Sequence, residues 1–340
     1  MKVGIVAPNI YSVPPARYGG EIMVWDLCEG LAKLGVEVHL FAIPGSRTPT
    51  GGYLHYIPRS NWDNYWIMEQ HTLTCYRRLL TEELDLIHCW THLQYMADWA
   101  FWRKDKRALS TPWGVPPTRP LNKYNLVAWS AFQRQAAIQM GFPETTKFVH
   151  GGCNTDYYTP SPDYAKDDYI LWFSRWHPCK RPWIAMQVAK ELGVNLVMSG
   201  SSSDSPDHAY YFEQYRPYAD SPNIKVVTSP SHEEKRELFR RARALIFPSV
   251  QEAFGLIAVE AMACGCPLIL SREGAFPEIV EQGVTGFLCE KMEEYKNAVR
   301  NIDRIDPRMC RRVAVERFSR DRTAEGYLKI YREVAEGLVF

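Results

Sequence analysis

Short β-branched or apolar runs alternate along this chain with amphipathic segments, and that alternation constrains the fold more than any other feature. A strand returned to its own sheet by a helix builds parallel βαβ units. A first strand is expected over residues 2–7 and a helix over 21–34. In that helix Val24, Leu27, Cys28 and Leu31 recur at helical spacing, with Glu21, Asp26, Glu29 and Lys33 outside the stripe. Gly35 stops it, and further strands are expected over 37–43, 84–89, 126–129 and 147–150. A second series follows the proline-rich stretch Thr159-Pro-Ser-Pro-Asp163. Its strands fall over 169–173, 195–199, 224–228, 244–247 and 267–270, and its helices over 183–192, 232–243 and 256–264. Two αβ series imply two Rossmann-like, doubly wound parallel-sheet domains facing a cleft. The expected boundaries are 1–160 and 161–318, with a helical tail over 319–340 packing back across the junction.

The chain has 340 residues, enough for two domains. Its 40 basic and 39 acidic residues leave a net charge of +1. Residues 1–160 hold 15 basic and 13 acidic side chains, and the remainder 25 and 26. Neither half is the strongly basic body that phosphate-backbone binding needs, which argues against a nucleic-acid partner. No uncharged apolar run approaches a membrane span: the best, over 256–270, is cut by Glu260. The opening MKVGIVAPNI lacks the regions of a signal peptide and reads as a buried strand, so a cytoplasmic protein is expected. The basic, aromatic stretch WAFWRKDKRAL leaves open a peripheral contact with the inner membrane surface as well as a solvated face. Nine cysteines without a CxxC are expected to be reduced and mostly buried, with no metal site.

The segment PSVQEAFGLIAVEAMACGCPLIL places Glu252 and Glu260 eight residues apart. A strand ends at Pro248, a loop delivers Glu252, and a helix begins near Gly255 and Leu256 with its free N–H groups facing outward. Helix N-termini attract phosphate through those groups and the macrodipole. The two glutamates are then hydrogen-bond acceptors for sugar hydroxyls. A core helix with one capping and one solvated glutamate is the other reading of this segment.

This pattern resembles the E-x7-E element of the retaining nucleotide-sugar glycosyltransferases of the GT-B fold, family 4. The matches are Glu252, Phe254, Gly255, Leu256, Glu260, Ala261, Met262, Ala263, Gly265 and Pro267. SRWHPCKRP resembles the family's G-R-x-x-x-x-K-G, which puts Arg175 and Lys180 on its diphosphate-binding cations and replaces both glycines, by Ser174 and Arg181. PPARYGGEIMVWDLCEGLAKLG resembles the family's first loop and helix, carrying Tyr18, Gly19 and Gly20. The family's order Gly-Gly-Ile-Glu is here Gly-Gly-Glu21-Ile22. The resemblance implies Arg175, Lys180 and Glu252 as catalytic residues. Gly19, Gly20, Phe254, Gly255, Leu256 and Glu260 would hold the donor, with Glu260 on its ribose. No cofactor or metal is implied beyond the nucleoside-diphosphate sugar itself.

Where many members carry a histidine in T-x-H-G, this chain reads STPWG and offers Trp113. His88, in DLIHCW, is either a site residue or a hydrogen-bonded structural histidine. Eight of eleven tryptophans precede residue 160. Aromatic faces stack on sugar C–H faces, so a carbohydrate, glycolipid or other small acceptor is expected near Tyr18, His88 and Trp113. Three rival functions remain. They are a GT-B glycoside phosphorylase, a sucrose-synthase-type enzyme and a non-catalytic sugar-nucleotide-binding protein. A nicotinamide dehydrogenase is opposed by the absence of G-x-G-x-x-G after the first strand.

Overall fold

A computed structural model describes residues 1–15, 20–57, 59, 83–90, 107–114, 125–201 and 206–340. Tyr18, Gly19 and four of the eight early tryptophans lie outside these residues, as does WAFWRKDKRAL up to Lys106. The chain divides into two compact units, residues 1–152 with 320–340, and residues 153–319. The division falls before the proline-rich stretch at 159–163.

The first unit is built on a parallel sheet of β1 (Lys2–Val6), β2 (Glu37–Ala42), β3 (Tyr53–Tyr56), β4 (Leu86–Cys89) and β5 (Ala108–Ser110). Their order is β3-β2-β1-β4-β5. β1 pairs with β2 from Lys2 opposite Glu37 and with β4 from Val3 opposite Leu86. β3 and β5 are additions to the expected strands. β5 is the end of the basic, aromatic stretch, and it is wholly buried. Helix α1 (Glu21–Lys33) follows β1 as its stripe predicts. Two of its acids are not solvated, however: Glu21 and Asp26 are each 4% exposed. Asp26 lies 3.8 Å from Arg320, itself largely buried. A short pair, β6 (Val127–Ala128) and β7 (Lys147–Phe148), flanks α2 (Ala131–Gln139), which Ser130 caps by accepting from the Gln133 amide.

The second unit carries a six-stranded sheet in the order β10-β9-β8-β11-β12-β13. The strands are β8 (Ile170–Phe173), β9 (Leu196–Gly200), β10 (Ile224–Thr228), β11 (Ala244–Phe247), β12 (Leu268–Ser271) and β13 (Gly286–Cys289). β8, β11 and β12 are buried at every residue, as expected of parallel strands covered on both faces. The intervening helices are α3 (Pro182–Leu192), α4 (Pro206–Tyr215), α5 (His232–Arg241), α6 (Leu256–Ala263), α7 (Phe276–Ile279), α8 (Met292–Asn301) and α9 (Pro307–Phe318). α5 starts on a capping box, in which Ser231 and Glu234 exchange hydrogen bonds of 2.7 and 3.1 Å. The final helix, α10 (Arg320–Ala335), belongs to the first unit and packs along α1. There an added Cβ on Gly30 would come within 2.7 Å of the Ala324 side chain.

In both sheets the winding reverses direction once. The chain lays β1, β2 and β3 outward to one side, then returns to put β4 beside β1. In the second sheet β8, β9 and β10 run one way, and β11 then pairs with β8. Open α/β sheets bind ligands at the carboxyl ends of the strands flanking such a reversal.

Candidate functional site

The two motifs that the sequence singles out in the second half leave adjacent strands at the reversal point of the second sheet. The loop after β8 carries Ser174, Arg175 and Lys180, and the loop after β11 carries Glu252. Ser174 and Trp176 are buried and Arg175, between them, is exposed. Among the described residues no side chain pairs with Arg175. A 3-10 turn over Pro178–Lys180 follows, with His177 accepting from the Cys179 amide at its start.

The loops are stitched to each other. The Val250 amide donates to the Cys179 carbonyl at 2.9 Å, and the Ser249 hydroxyl reaches the same carbonyl at 3.3 Å. Lys180 Nζ forms an ion pair with Glu252 Oε1, to which Ser249 Oγ also donates at 2.5 Å. Both charged side chains are largely but not fully buried. The Glu252 carbonyl accepts from the Ala275 amide at 3.0 Å, fixing its loop against the start of α7.

Arg181, where the resembling family has glycine, holds a left-handed backbone with φ 45° and ψ 52°. That geometry is free for glycine and costs other residues on the order of 1 kcal/mol. A 2.8 Å contact from Arg181 to Glu273 accompanies it.

Helix α6 begins beside Glu252. Gly255 is its N-cap with φ 105°, and no side chain caps the helix. A Cβ at Gly255 would stand 2.7 Å from the Phe276 ring, so glycine is required for both its angle and its lack of bulk. Phe254 is buried against Phe318, ring centroids 6.0 Å apart, which anchors the residue before the cap. Leu256 heads the helix half-buried. Glu260, one turn further in, is 1% exposed. The reading that left it as a solvated glutamate is therefore wrong. Its Oε2 lies 2.7 Å from Lys235 Nζ.

Lys235 is a residue that sequence reasoning missed. Its signal was its place in the α5 stripe: Phe239 follows by four residues and Ala242 by seven, and all three are buried. A lysine on an apolar stripe is rarely buried unless paired.

In the first unit, Gly20 caps α1 and lies against the ring of Trp113. Trp113 Nε1 donates to the Trp90 carbonyl at 2.5 Å, at the end of β4. Trp90, Trp113 and Trp129 cluster with ring centroids 4.7 to 6.3 Å apart. Trp129 Nε1 and Gln133 Nε2 both donate to the Pro112 carbonyl, at 3.1 and 3.2 Å. The strand-end turn carrying Trp113 is thus held from below by α2. Only Trp113 of the three keeps partial exposure.

His88 does not join this surface. It is fully buried in β4, with Nδ1 2.7 Å from the Tyr331 hydroxyl and Nε2 2.8 Å from Thr111 Oγ1. Thr111 in turn lies 2.9 Å from the Tyr327 hydroxyl. Burial holds the imidazole well below its ordinary value, hence neutral. Both ring nitrogens serve a network that binds α10 to the sheet. As an acceptor-site residue His88 is corrected: the structural alternative holds.

Glu21 has its carboxyl raised by burial, against the lowering effect of hydrogen bonds from the Glu21 and Tyr11 amides. The eight described cysteines are free, and all but Cys179 are buried. No described cluster of three or more His, Cys, Asp or Glu has metal-binding proximity. No described helix is long and apolar enough to cross a membrane.

Two family models tile the chain. Glycosyl transferases group 1 matches residues 160–312, the unit bearing Arg175, Lys180, Glu252 and Glu260, and Glycosyltransferase Family 4 matches residues 18–157. This chain belongs to glycosyltransferase family 4. The D-inositol 3-phosphate glycosyltransferases of Mycobacterium tuberculosis and Mycobacterium bovis are similar to it, 31% identical over 213 residues. That alignment covers 56% of this chain and 44% of the relative, so the match spans less than half of those proteins.

Among solved structures, AviGT4, a glycosyltransferase involved in avilamycin A biosynthesis, superposes with a TM-score of 0.76 at 22% identity, covering 100% of this chain and 99% of that one. The sucrose-phosphate synthase of Thermosynechococcus elongatus gives 0.77 at 18%, covering 99% and 100%. Anabaena HepE in complex with UDP-glucose gives 0.72 at 15%, covering 98% and 100%. The family 4 chain therefore has the α/β GT-B fold, with parallel sheets in both units.

Proposed function

We propose that this family 4 member is a retaining glycosyltransferase that moves a sugar from a nucleoside-diphosphate sugar to a carbohydrate, glycolipid or other small acceptor. One observation carries the reading. The Arg175–Lys180 loop and the Glu252 loop leave adjacent strands at the sheet's reversal point, beside the uncapped N-terminus of α6. Two cations, a helix N-terminus and carboxylates in one place suit a ligand with a diphosphate at its centre and hydroxyls at both ends.

The chemistry follows from that arrangement. The bond from the sugar's anomeric carbon to the diphosphate oxygen breaks, and the electron pair leaves with the diphosphate. Arg175, Lys180 and the α6 amides meet the growing negative charge, which is where preorganised donors lower a barrier most. The acceptor oxygen attacks from the face the leaving group departs, and a phosphate oxygen takes its proton. Glu252 is assigned to the donor sugar's hydroxyls and Glu260 to the ribose. Neither is placed as a nucleophile, and this is why retention without a covalent glycosyl intermediate is proposed.

Because side chains and backbone amides neutralise the diphosphate, activity is expected to survive EDTA. The acceptor is assigned to the first unit, where Trp113 offers a partly exposed aromatic face. An indole N–H cannot serve as a general base near neutral pH, so Trp113 shapes that site and transfers no proton. In Anabaena HepE the bound donor is UDP-glucose, and a uridine or other nucleotide is open here.

The test is a panel of UDP-, GDP- and ADP-sugars with candidate acceptors, read by nucleoside-diphosphate release and by NMR of the product linkage. An α-linked donor should give an α product. A β product would overturn retention, and no release from any donor would leave a binding protein. A requirement for inorganic phosphate would mark a phosphorylase.

A further inference from the structure

Helix α5 carries a buried charge that the donor chemistry does not use. Lys235 is 2% exposed, and its ammonium stands 2.7 Å from Glu260 Oε2. Three rings surround it: Tyr158, Phe173 and Phe239, with centroids 5.5, 5.6 and 5.7 Å from Nζ. Phe173 ends β8, immediately before Ser174 and Arg175, so the cage ties the ammonium to the strand that launches the cation loop. A buried ion pair is commonly no more stabilising than apolar residues of the same volume. Stability alone does not account for placing one here.

The state of the carboxylate does. Glu260 Oε2 is buried and, although the ammonium neutralises it, receives no well-angled hydrogen bond. An ionised carboxylate offers acceptor sites in several directions, and compensation of charge leaves those sites unfilled. Glu260 is thus held in place and, at Oε2, short of donors. Vicinal hydroxyls, the donors a ribose presents, fit that deficit.

We propose that Lys235 is a positioning residue, which fixes the Glu260 carboxylate so that it reads the ribose hydroxyls of the donor nucleotide. This rests on the nucleotide-sugar reading above. Lys235 is buried and is given no contact of its own with nucleotide or sugar in this proposal. Its contribution is to hold Glu260 in one orientation, so it is expected in ribose selectivity rather than in diphosphate affinity.

The experiment is calorimetric titration of wild type, Lys235→Met and Lys235→Arg. The ligands are whichever of UDP, GDP and ADP binds tightest, its 2′-deoxy and 3′-deoxy counterparts, and inorganic pyrophosphate. Wild type should favour the ribonucleotide by about tenfold or more, the value of a charge-assisted hydrogen bond. Lys235→Met should reduce that preference to within about threefold, leaving pyrophosphate binding unchanged. Lys235→Arg keeps the charge, but its planar fork cannot occupy a compact ammonium's place, and the preference should fall by about threefold or more. It decides the matter if Lys235→Met fails to fold. A full ribose preference in either folded variant overturns the inference and leaves a structural ion pair. If wild type itself does not distinguish ribo- from deoxynucleotides, the assignment of Glu260 to ribose falls first, and the role of Lys235 with it.

Discussion

Replacing Gly20 with alanine isolates one contact in the first unit. Gly20 has φ −60° and ψ −28°, a right-handed conformation open to any residue. On backbone grounds alone Gly20→Ala should stabilise by about 0.4–1 kcal/mol, by restricting the unfolded chain. The surroundings oppose it. The new Cβ would stand 2.2 and 2.3 Å from Cζ3 and Cη2 of Trp113. Ordinary carbon contacts lie near ~3.5–4.0 Å, so the ring must retreat by more than about 1 Å. It has little freedom to do so, since Nε1 is bonded to the Trp90 carbonyl and the ring abuts Trp90 and Trp129. Overpacking of this kind costs about 1–3 kcal/mol, and set against the backbone gain it leaves a net loss of up to about 2.6 kcal/mol, centred on about 1.3 kcal/mol. Trp113→His removes the offending ring edge, and Gly20→Ala/Trp113→His should recover most of the alanine's cost. Urea unfolding of the four proteins, followed by circular dichroism, gives a coupling energy expected near 1–2 kcal/mol. Additive effects, or a Gly20→Ala protein more stable than wild type, would refute the reasoning and the packing of Trp113 on Gly20.

Arg175→Ala and Lys180→Ala should each lose about 100- to 1000-fold in kcat at saturating donor, with smaller losses in donor affinity. Wild-type turnover in both would remove the cation clamp. Glu252→Ala should reduce turnover while nucleoside-diphosphate binding stays level or tightens, because it releases Lys180 from its ion pair; an equal fall in both would contradict its assignment to the sugar. His88 is held below its ordinary 6.5 by burial, so the unfolded chain takes up a proton that the folded one refuses. Its contribution is therefore present above about pH 6.5 and is lost as pH falls below it, by up to about 1.4 kcal/mol per pH unit. His88→Gln should flatten that slope between pH 7 and 5.5, and an unaltered slope would show that another group titrates there.

What the sequence disclosed was what is local or periodic. The strands carrying the site, β1, β8 and β11, are short apolar runs bounded by turn residues. The E-x7-E segment places its loop, cap and helix within a dozen positions, so Gly255 and Glu260 could be set on their elements before any coordinates. The failures are long-range. His88 looked like a strand-end histidine because its partners, Tyr327 and Tyr331, come more than two hundred residues later. Asp26 was set outside the buried stripe and Lys235 was passed over because the groups that neutralise them, Arg320 and Glu260, lie on other helices. β5 was hidden by the charges that precede it, since three buried residues after WRKDKR give too short a run to outweigh them. In each case the deciding term was a tertiary partner, which periodicity does not encode.

Helix α10 follows the second unit in the chain but completes the first. Its Tyr327 and Tyr331 close the network under β4, its Ala324 seats Gly30 of α1, and Phe340 exchanges hydrogen bonds with Asn125 through both backbone groups. During synthesis the first unit therefore emerges from the ribosome before the helix that packs along its α1 and closes the His88 network. Residues 153–319 are translated in between. The unit made first is the last to be finished.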